Sequence, residues 1–317
     1  MSDPLEVAAG VIVDAAGRYL IAQRPSHLHQ GGYWEFPGGK LEPGETSYQA
    51  LVRELQEELD IRVEHAEPLI AVTHDYPDRR VRLDVWRVDA FSGEPRGLLG
   101  QPIRWVTREA LTDYPFPAAN QPIVAAARLP DRYAILNLVA PDPALLLARL
   151  EDYHQAGIRL VRLRAPGLDP AAYRALAAWA ADACRDRGMD LMLSGVAETV
   201  TTVGAAGLHL RSDQLMCLTA RPLDGSHWVA ASCHDPEQLV RAAAMGVDFV
   251  VLGPVAPTAT HPGMSPLGWA RFGAWVADAR LPVFALGGLG PEQLPLARQH
   301  GAQGIAAIRG FAHPKGA

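Results

Sequence analysis

Lysine is nearly missing from this 317-residue sequence. Only Lys40 and Lys315 occur, so 27 of the 29 basic residues are arginine. Chemistry that depends on a buried lysine amine has almost nothing to draw on. Cysteine is equally sparse. Cys184, Cys217 and Cys233 lie far apart with no Cys-x-x-Cys pair, which argues against a disulfide framework or a structural zinc site and for ordinary buried thiols in reducing surroundings. Excess positive charge is lacking too. The 35 acidic residues leave a formal net charge of −6 and no electrostatic footprint for nucleic acid. No apolar run approaches the ~18 residues of a membrane span. Asp3 and Glu6 precede the first apolar stretch, which therefore reads as a strand and not a signal peptide. A cytoplasmic protein acting on a small molecule, with no membrane or nucleic-acid partner, is expected.

What is present can build cores: 49% of the residues are hydrophobic and 20% charged. At roughly 150 residues per domain the length suggests two domains. The pattern changes around Leu129–Asp131, giving expected domains of 1–129 and 130–317. The first mixes strand-like runs (Val7–Val13, Tyr19–Ala22, Val81–Val88) with one strongly patterned helix at about Ser47–Leu59, and predicts a mixed sheet packed by a few helices. From Tyr133 onward eight short apolar runs, the first YAILNLV and the last GIAAIRG from Gly304, alternate with helical stretches such as Ala144–Ala156 and Ala171–Arg187. Eight such units in a row predict a (β/α)8 TIM barrel with short loops; an open doubly wound sheet is the alternative. The fold class is thus α/β in two domains.

Within the first domain the helix at Ser47–Leu59 is the most informative element. Tyr48, Leu51, Val52, Leu55 and Leu59 fall on one arc that should face a core. Glu54, Glu57 and Glu58, at i, i+3 and i+4, share another face. Three neighbouring carboxylates repel one another, and a hard divalent cation such as Mg²⁺ or Mn²⁺ reverses that sign. A solvated acidic face is the bland alternative. The spacing argues against it: Gly39, then Glu45, then Arg53-Glu54 and Glu57-Glu58.

That spacing resembles the Nudix box, G-x5-E-x7-R-E-U-x-E-E-x-G-U with U apolar, at every fixed position except the last glycine, here Asp60. Aspartate tolerates the left-handed conformation better than most residues, so the site need not suffer. The flanking stretches YWEFPGGKLEPGE, HDYPDRRVRLDVW, SGEPRGLLGQP and DYPFPAANQP are similar to the MutT type, hydrolases of 8-oxo-dGTP that serve nucleotide-pool sanitation and DNA repair. The resemblance runs through most of residues 6–127 and implies a Nudix α/β/α sandwich. It implies that Glu54, Glu57, Glu58 and a carbonyl of the Gly38–Gly39 pair hold Mg²⁺ (or Mn²⁺), that Glu45 pairs with Arg53, and that all five of these side chains are catalytic. Arg24, His29, Glu35, Phe36, Pro37, Gly38, Lys40, Arg79 and Asn120 would bind the nucleotide, with the Asn120 amide matching a purine edge. One departure stands out. MutT-type enzymes carry a further acidic residue where this chain has Leu99, which leaves Glu54 as base or calls for a borrowed carboxylate such as Glu94.

From Tyr133 to about Ala312 the chain resembles the thiamine phosphate synthase/TenI family in Leu160–Arg164, Gly207–Leu210, Ser232-Cys-His234, Gly253–Thr260, Ala285–Gly288 and Gly304–Gly310. The likeness implies a phosphate or ligand site using Arg164, Ser232, His234, Thr258, Thr260 and Gly288, for a thiazole or thiamine phosphate. The synthase's own residues have changed. Its Q-x-R-x-K reads Arg162, Arg164, Pro166; its Asn-Asp pair, whose Asp holds Mg²⁺, is Ser194-Gly195; the lysine of T-x-T-K is His261; and the last-loop serine is Arg309. Asp213 alone is a weak substitute ligand. The expectation is a Mg²⁺-dependent nucleoside triphosphate pyrophosphohydrolase, an 8-oxo-dGTP diphosphatase, beside a barrel inactive as a synthase. The alternatives are a housecleaning hydrolase of thiamine-related diphosphates and a bifunctional hydrolase/thiazole tautomerase with His234 as acid/base.

Overall fold

A computed structural model describes residues 4–26, 30–77, 79–258 and 265–311. They fall into two compact units that divide between Arg128 and Leu129. In chain order the first unit contains β1 (Leu5–Ile12), β2 (Tyr19–Gln23), β3 (Trp34–Glu35), β4 (Gly38–Lys40), α1 (Ser47–Leu59), β5 (Arg62–Asp75), β6 (Arg80–Ser92), β7 (Ile103–Val106) and α2 (Gln121–Arg128). A mixed sheet runs β4-β1-β6-β5, with β1 parallel to β6 and antiparallel to β4; a smaller antiparallel sheet runs β3-β2-β7. This is the mixed-sheet architecture the Nudix-like sequence predicts.

The central strand β1 is buried from Ala8 onward, as expected of a strand covered on both faces. Leu51, Leu55 and Leu59 of α1 are fully buried and pack with Ala8 and Ile12. A Cβ at Gly10 would stand 3.2 Å from the Cδ1 atoms of Leu51 and Leu55, so glycine there lets α1 lie close on the strand. Tyr48, expected in the buried arc, is 38% exposed and packs edge-on against Trp86; Ala50 is buried instead. The tyrosine sits on the first turn, where its ring finds a neighbour on the sheet and its polar end stays wet. Thr46 and Gln49 close a capping box at one end of α1, and Asp60 ends the helix in the left-handed region at φ 58°.

The second unit alternates β8 (Arg132–Asn137), α3 (Pro143–Gln155), β9 (Leu160–Arg164), α4 (Pro170–Asp186), β10 (Asp190–Ser194), α5 (Ala197–Val203), β11 (Gly207–Leu210), α6 (Ser212–Cys217), β12 (Trp228–Cys233), α7 (Pro236–Ala244), β13 (Phe249–Leu252), α8 (Gly268–Ala277), β14 (Val283–Leu286), α9 (Leu294–Gln299) and β15 (Gly304–Ala307). Every strand is parallel to the next and β15 pairs back to β8, so the sheet is a closed barrel and not an open one. Three of its helices, α3, α4 and α7, begin with Asp-Pro: the carboxylate caps the first turn and proline fills the position that has no partner for an N–H. Tyr133, Phe249 and Phe284 fill the interior with ring centroids 5.5–5.7 Å apart. One polar chain crosses that interior. Tyr133 Oη lies 2.9 Å from His209 Nδ1, and His209 Nε2 lies 2.9 Å from Ser232 Oγ. Burial, with the Arg162 charge nearby, holds His209 well below its ordinary pKa, so the ring is neutral.

Candidate active site

The Gly38–Gly39 pair forms β4 beside α1. At Gly38, φ is +147° and a Cβ would meet Ala8 O at 2.1 Å; at Gly39 a Cβ would meet the Glu54 carboxylate at 2.2 Å. The backbone of β4 therefore lies directly against Glu54. Arg53 ties these parts together. Its Nε and Nη2 donate to the two oxygens of Glu45 at 2.8 and 2.9 Å, Nη1 to Glu54 at 2.8 Å, and Nη2 also to the Lys40 carbonyl at 3.0 Å. Hydrogen bonds from Arg53, helped by the Glu42 N–H, hold the Glu45 carboxyl down at about 2.

Glu58 behaves in the opposite way. Burial first, then the charges of Glu35 and Glu54, push its carboxyl up to about 7, although Gly38 N–H donates to it at 3.3 Å. Glu35 is also raised by burial, despite its ion pair with Arg24. Crowded carboxylates that resist ionising together are what a cation would relieve. The donors on offer, carboxylates plus the carbonyls of Gly38 and Gly39, are all oxygen and suit a hard divalent ion. Glu57 is 61% exposed on its side chain and leans toward Arg53 at 3.5 Å. Among the described residues no three acidic, histidine or cysteine side chains are already drawn together as a ligand set: Glu54 faces Arg53 and Glu58 faces Gly38 N–H.

A cavity of about 330 Å³ opens on this edge. Of the residues expected to bind nucleotide, Arg24, Glu35, Phe36, Gly38, Lys40, Arg79 and Asn120 line it, together with Gly39 and Glu58. Pro37 does not, its carbonyl accepting from Gly10 N–H at 2.8 Å. Glu45, Arg53, Glu54 and Glu57 are not part of the cavity wall, and His29 falls outside the described residues. Among the lining residues that escaped the sequence reading are Tyr76 and Gln101. Tyr76, in the stretch HDYPDRR, is half-buried with its ring 4.5 Å from His74. Gln101 donates to the Glu58 carbonyl at 3.1 Å and accepts from Leu99 N–H at 2.9 Å. With Arg96 N–H on Leu59 O and Leu98 N–H on Glu58 O, it fixes the 96–101 loop to the last carbonyls of α1. Leu99 lines the rim, 69% exposed, whereas Glu94 is paired with Arg96 on the surface and is not in the wall.

In the second unit the expected ligand residues separate. His234, Thr258, Gly288 and Arg309 line a cavity of about 200 Å³ at the ends of the late strands, where His234 Nδ1 lies 2.8 Å from the Gly253 carbonyl. Arg164 lines a different cavity of about 370 Å³. Ser232 is hydrogen-bonded to His209, and Thr260 and His261 fall outside the described residues. Asp213 is paired with Arg211, whose hydrogen bonds lower its pKa, and it lines neither cavity.

The NUDIX domain family matches residues 8–126, and the thiamine monophosphate synthase family matches residues 133–311. The chain belongs to both families. The 8-oxo-dGTP diphosphatase of Escherichia coli is 40% identical over 121 residues, 38% of this chain and 94% of that one. The CTP pyrophosphohydrolase of the same organism is 38% identical over 122 residues, 38% of this chain and 90% of that one. For the barrel, the thiamine-phosphate synthase of Synechocystis is 30% identical over 175 residues, 55% of this chain and 51% of that one. The Nudix domain is a hydrolase of phosphorus anhydrides, and enzymes of its family need a divalent metal ion. Its one departure from the box, Asp60, takes the left-handed conformation that glycine usually supplies and accepts from Gln56 Nε2 at 2.9 Å.

Proposed function

We propose that the Nudix domain is a Mg²⁺-dependent 8-oxo-dGTP diphosphatase and that the barrel does not act as a synthase. The observation that carries the first part is one cavity bringing Asn120, the Arg24–Glu35 pair, Arg79 and Lys40 to the same wall as Glu58 of the box and the Gly39 backbone that abuts Glu54. The identity to an 8-oxo-dGTP diphosphatase across nearly its whole length supports it. Arg79 and Lys40 supply positive charge for the phosphates, and the Asn120 amide offers a donor and an acceptor to a purine edge. Glu54, held by Arg53, accepts the proton of the attacking water. Bound Mg²⁺ supplies charge neutralisation and a water of lowered pKa. Glu54, Glu57, Glu58 and the carbonyls of Gly38 and Gly39 are the groups that would hold it.

Against the synthase stand Pro166, Ser194 and Gly195, which put no lysine or carboxylate into their cavity. A cytoplasmic location belongs to the same proposal. Among the described residues no helix is long and apolar enough to cross a membrane.

The similarity to a CTP pyrophosphohydrolase favours a second reading, a pyrimidine triphosphate substrate. Pyrophosphate release from 8-oxo-dGTP, dGTP and CTP, set beside orthophosphate release from thiamine diphosphate, with Mg²⁺ separates them. A preference for 8-oxo-dGTP of tenfold or more, about 1.4 kcal/mol, is expected. Faster cleavage of CTP selects the second reading, and faster cleavage of thiamine diphosphate ties both domains to thiamine chemistry. Formation of thiamine phosphate by the barrel would overturn the second part.

A further inference from the structure

The 370 Å³ cavity of the barrel is walled by four arginines, Arg162, Arg164, Arg174 and Arg211, and by no aspartate or glutamate. Arg162 is only 6% exposed. Its Nε donates to Ser194 Oγ at 3.1 Å, and among the described residues no carboxylate pairs with it. Arginine stays charged even where burial depresses its pKa, as it does here, and a buried guanidinium without a counter-charge is costly. Arg164 spends one N–H on Asn137 Oδ1 at 2.9 Å, and Arg174 has no ion-pair partner among the described residues. Arg211 alone is neutralised, by Asp213 at 2.7 Å.

The wall is fixed rather than loose. Tyr173 Oη accepts from Ser194 N–H at 2.9 Å and donates to Leu163 O at 3.2 Å, which locks the residue that holds Arg162. Leu168, Tyr173 and Val196 supply an apolar side. A divalent metal does not fit. Where the family resemblance calls for a Mg²⁺-binding aspartate there is Gly195, and the surrounding charge is positive.

We propose that this cavity binds a compact organic dianion directly on its guanidinium groups, with no metal ion as a bridge. Planar guanidinium forks match the paired oxygens of phosphate and of carboxylate alike. The volume leaves room for a small apolar body beside the charged end. A phosphate monoester and a dicarboxylate share this chemistry. The site shares no lining residue with the late-strand cavity of His234 and Gly288.

The test uses the full chain and calorimetric titration with phenyl phosphate and with phthalate, first in EDTA and then with Mg²⁺. At least one should bind in EDTA, with an affinity that Mg²⁺ changes by less than twofold. Arg164→Gln and Arg174→Gln should each weaken binding tenfold or more and leave nucleotide hydrolysis as it was. Tighter phenyl phosphate marks a phosphate ester as the natural class, and tighter phthalate a dicarboxylate. The proposal is overturned if neither compound binds, if binding requires Mg²⁺, or if both variants bind like the parent. Arg174 is exposed, so its substitution keeps the fold even if that of Arg164 does not.

Discussion

Arg53 holds Glu45 with a two-pronged hydrogen bond and Glu54 with a third, so the carboxylate assigned the proton transfer is oriented by its own neighbour. Glu54→Gln keeps the shape and removes the base. Pyrophosphate release should fall by at least about 100-fold, and undiminished turnover would sink the assignment. Asn120→Ala acts on selectivity. The ratio of 8-oxo-dGTP to dGTP hydrolysis should drop about tenfold, near 1.4 kcal/mol; an equal loss on both nucleotides would show that Asn120 does not read the base. The glutamates could be found in the sequence because helical spacing puts them on one face. Tyr76 and Gln101 could not, since they reach the cavity from loops whose convergence only the folded chain reveals.

At the scale of elements, α1 carries the box glutamates Glu54, Glu57 and Glu58, and its ends are set by local chemistry. Its bounds, Ser47–Leu59, coincide with those read from apolar periodicity, because the capping box at Thr46 and the turn at Asp60 are both written in the sequence. Thr46→Ala removes a side-chain acceptor for Gln49 N–H. It should cost about 1 kcal/mol, measurable as a lower urea midpoint of the first unit's transition. The long strand β5 was not legible. Register shifts at Val63/His65, His65/Ala66 and Pro68/Ile70 break the alternation that marks a strand, and Glu64, His65 and Glu67 make the run look like a loop.

For the molecule as a whole, the eight barrel strands were legible because strands buried on both faces read as unbroken apolar runs. That Arg164 and His234 face separate cavities was not, since strand order says nothing about which side chains share a space. The barrel interior also sets a pH dependence. His209 is neutral in the fold, its pKa well below 6.5, while in the unfolded chain it titrates near that value. The unfolded state then binds the extra proton as pH falls. Stability is full above pH 6.5 and declines below it by about 1.4 kcal/mol per pH unit. The barrel's melting temperature should therefore drop more between pH 7.5 and 5.5 in the parent than in His209→Gln. Equal drops would place the proton uptake elsewhere.

Lys40, on the rim of the 330 Å³ cavity, is the one described lysine. Amine-selective acylating reagents thus meet a single side-chain target in the described structure, and it stands at the mouth of the site. An acyl group attached there removes the ammonium charge and should weaken nucleotide binding. Nucleotide bound beforehand should slow the attachment itself, and an attachment rate that nucleotide leaves unchanged would place Lys40 away from the phosphates.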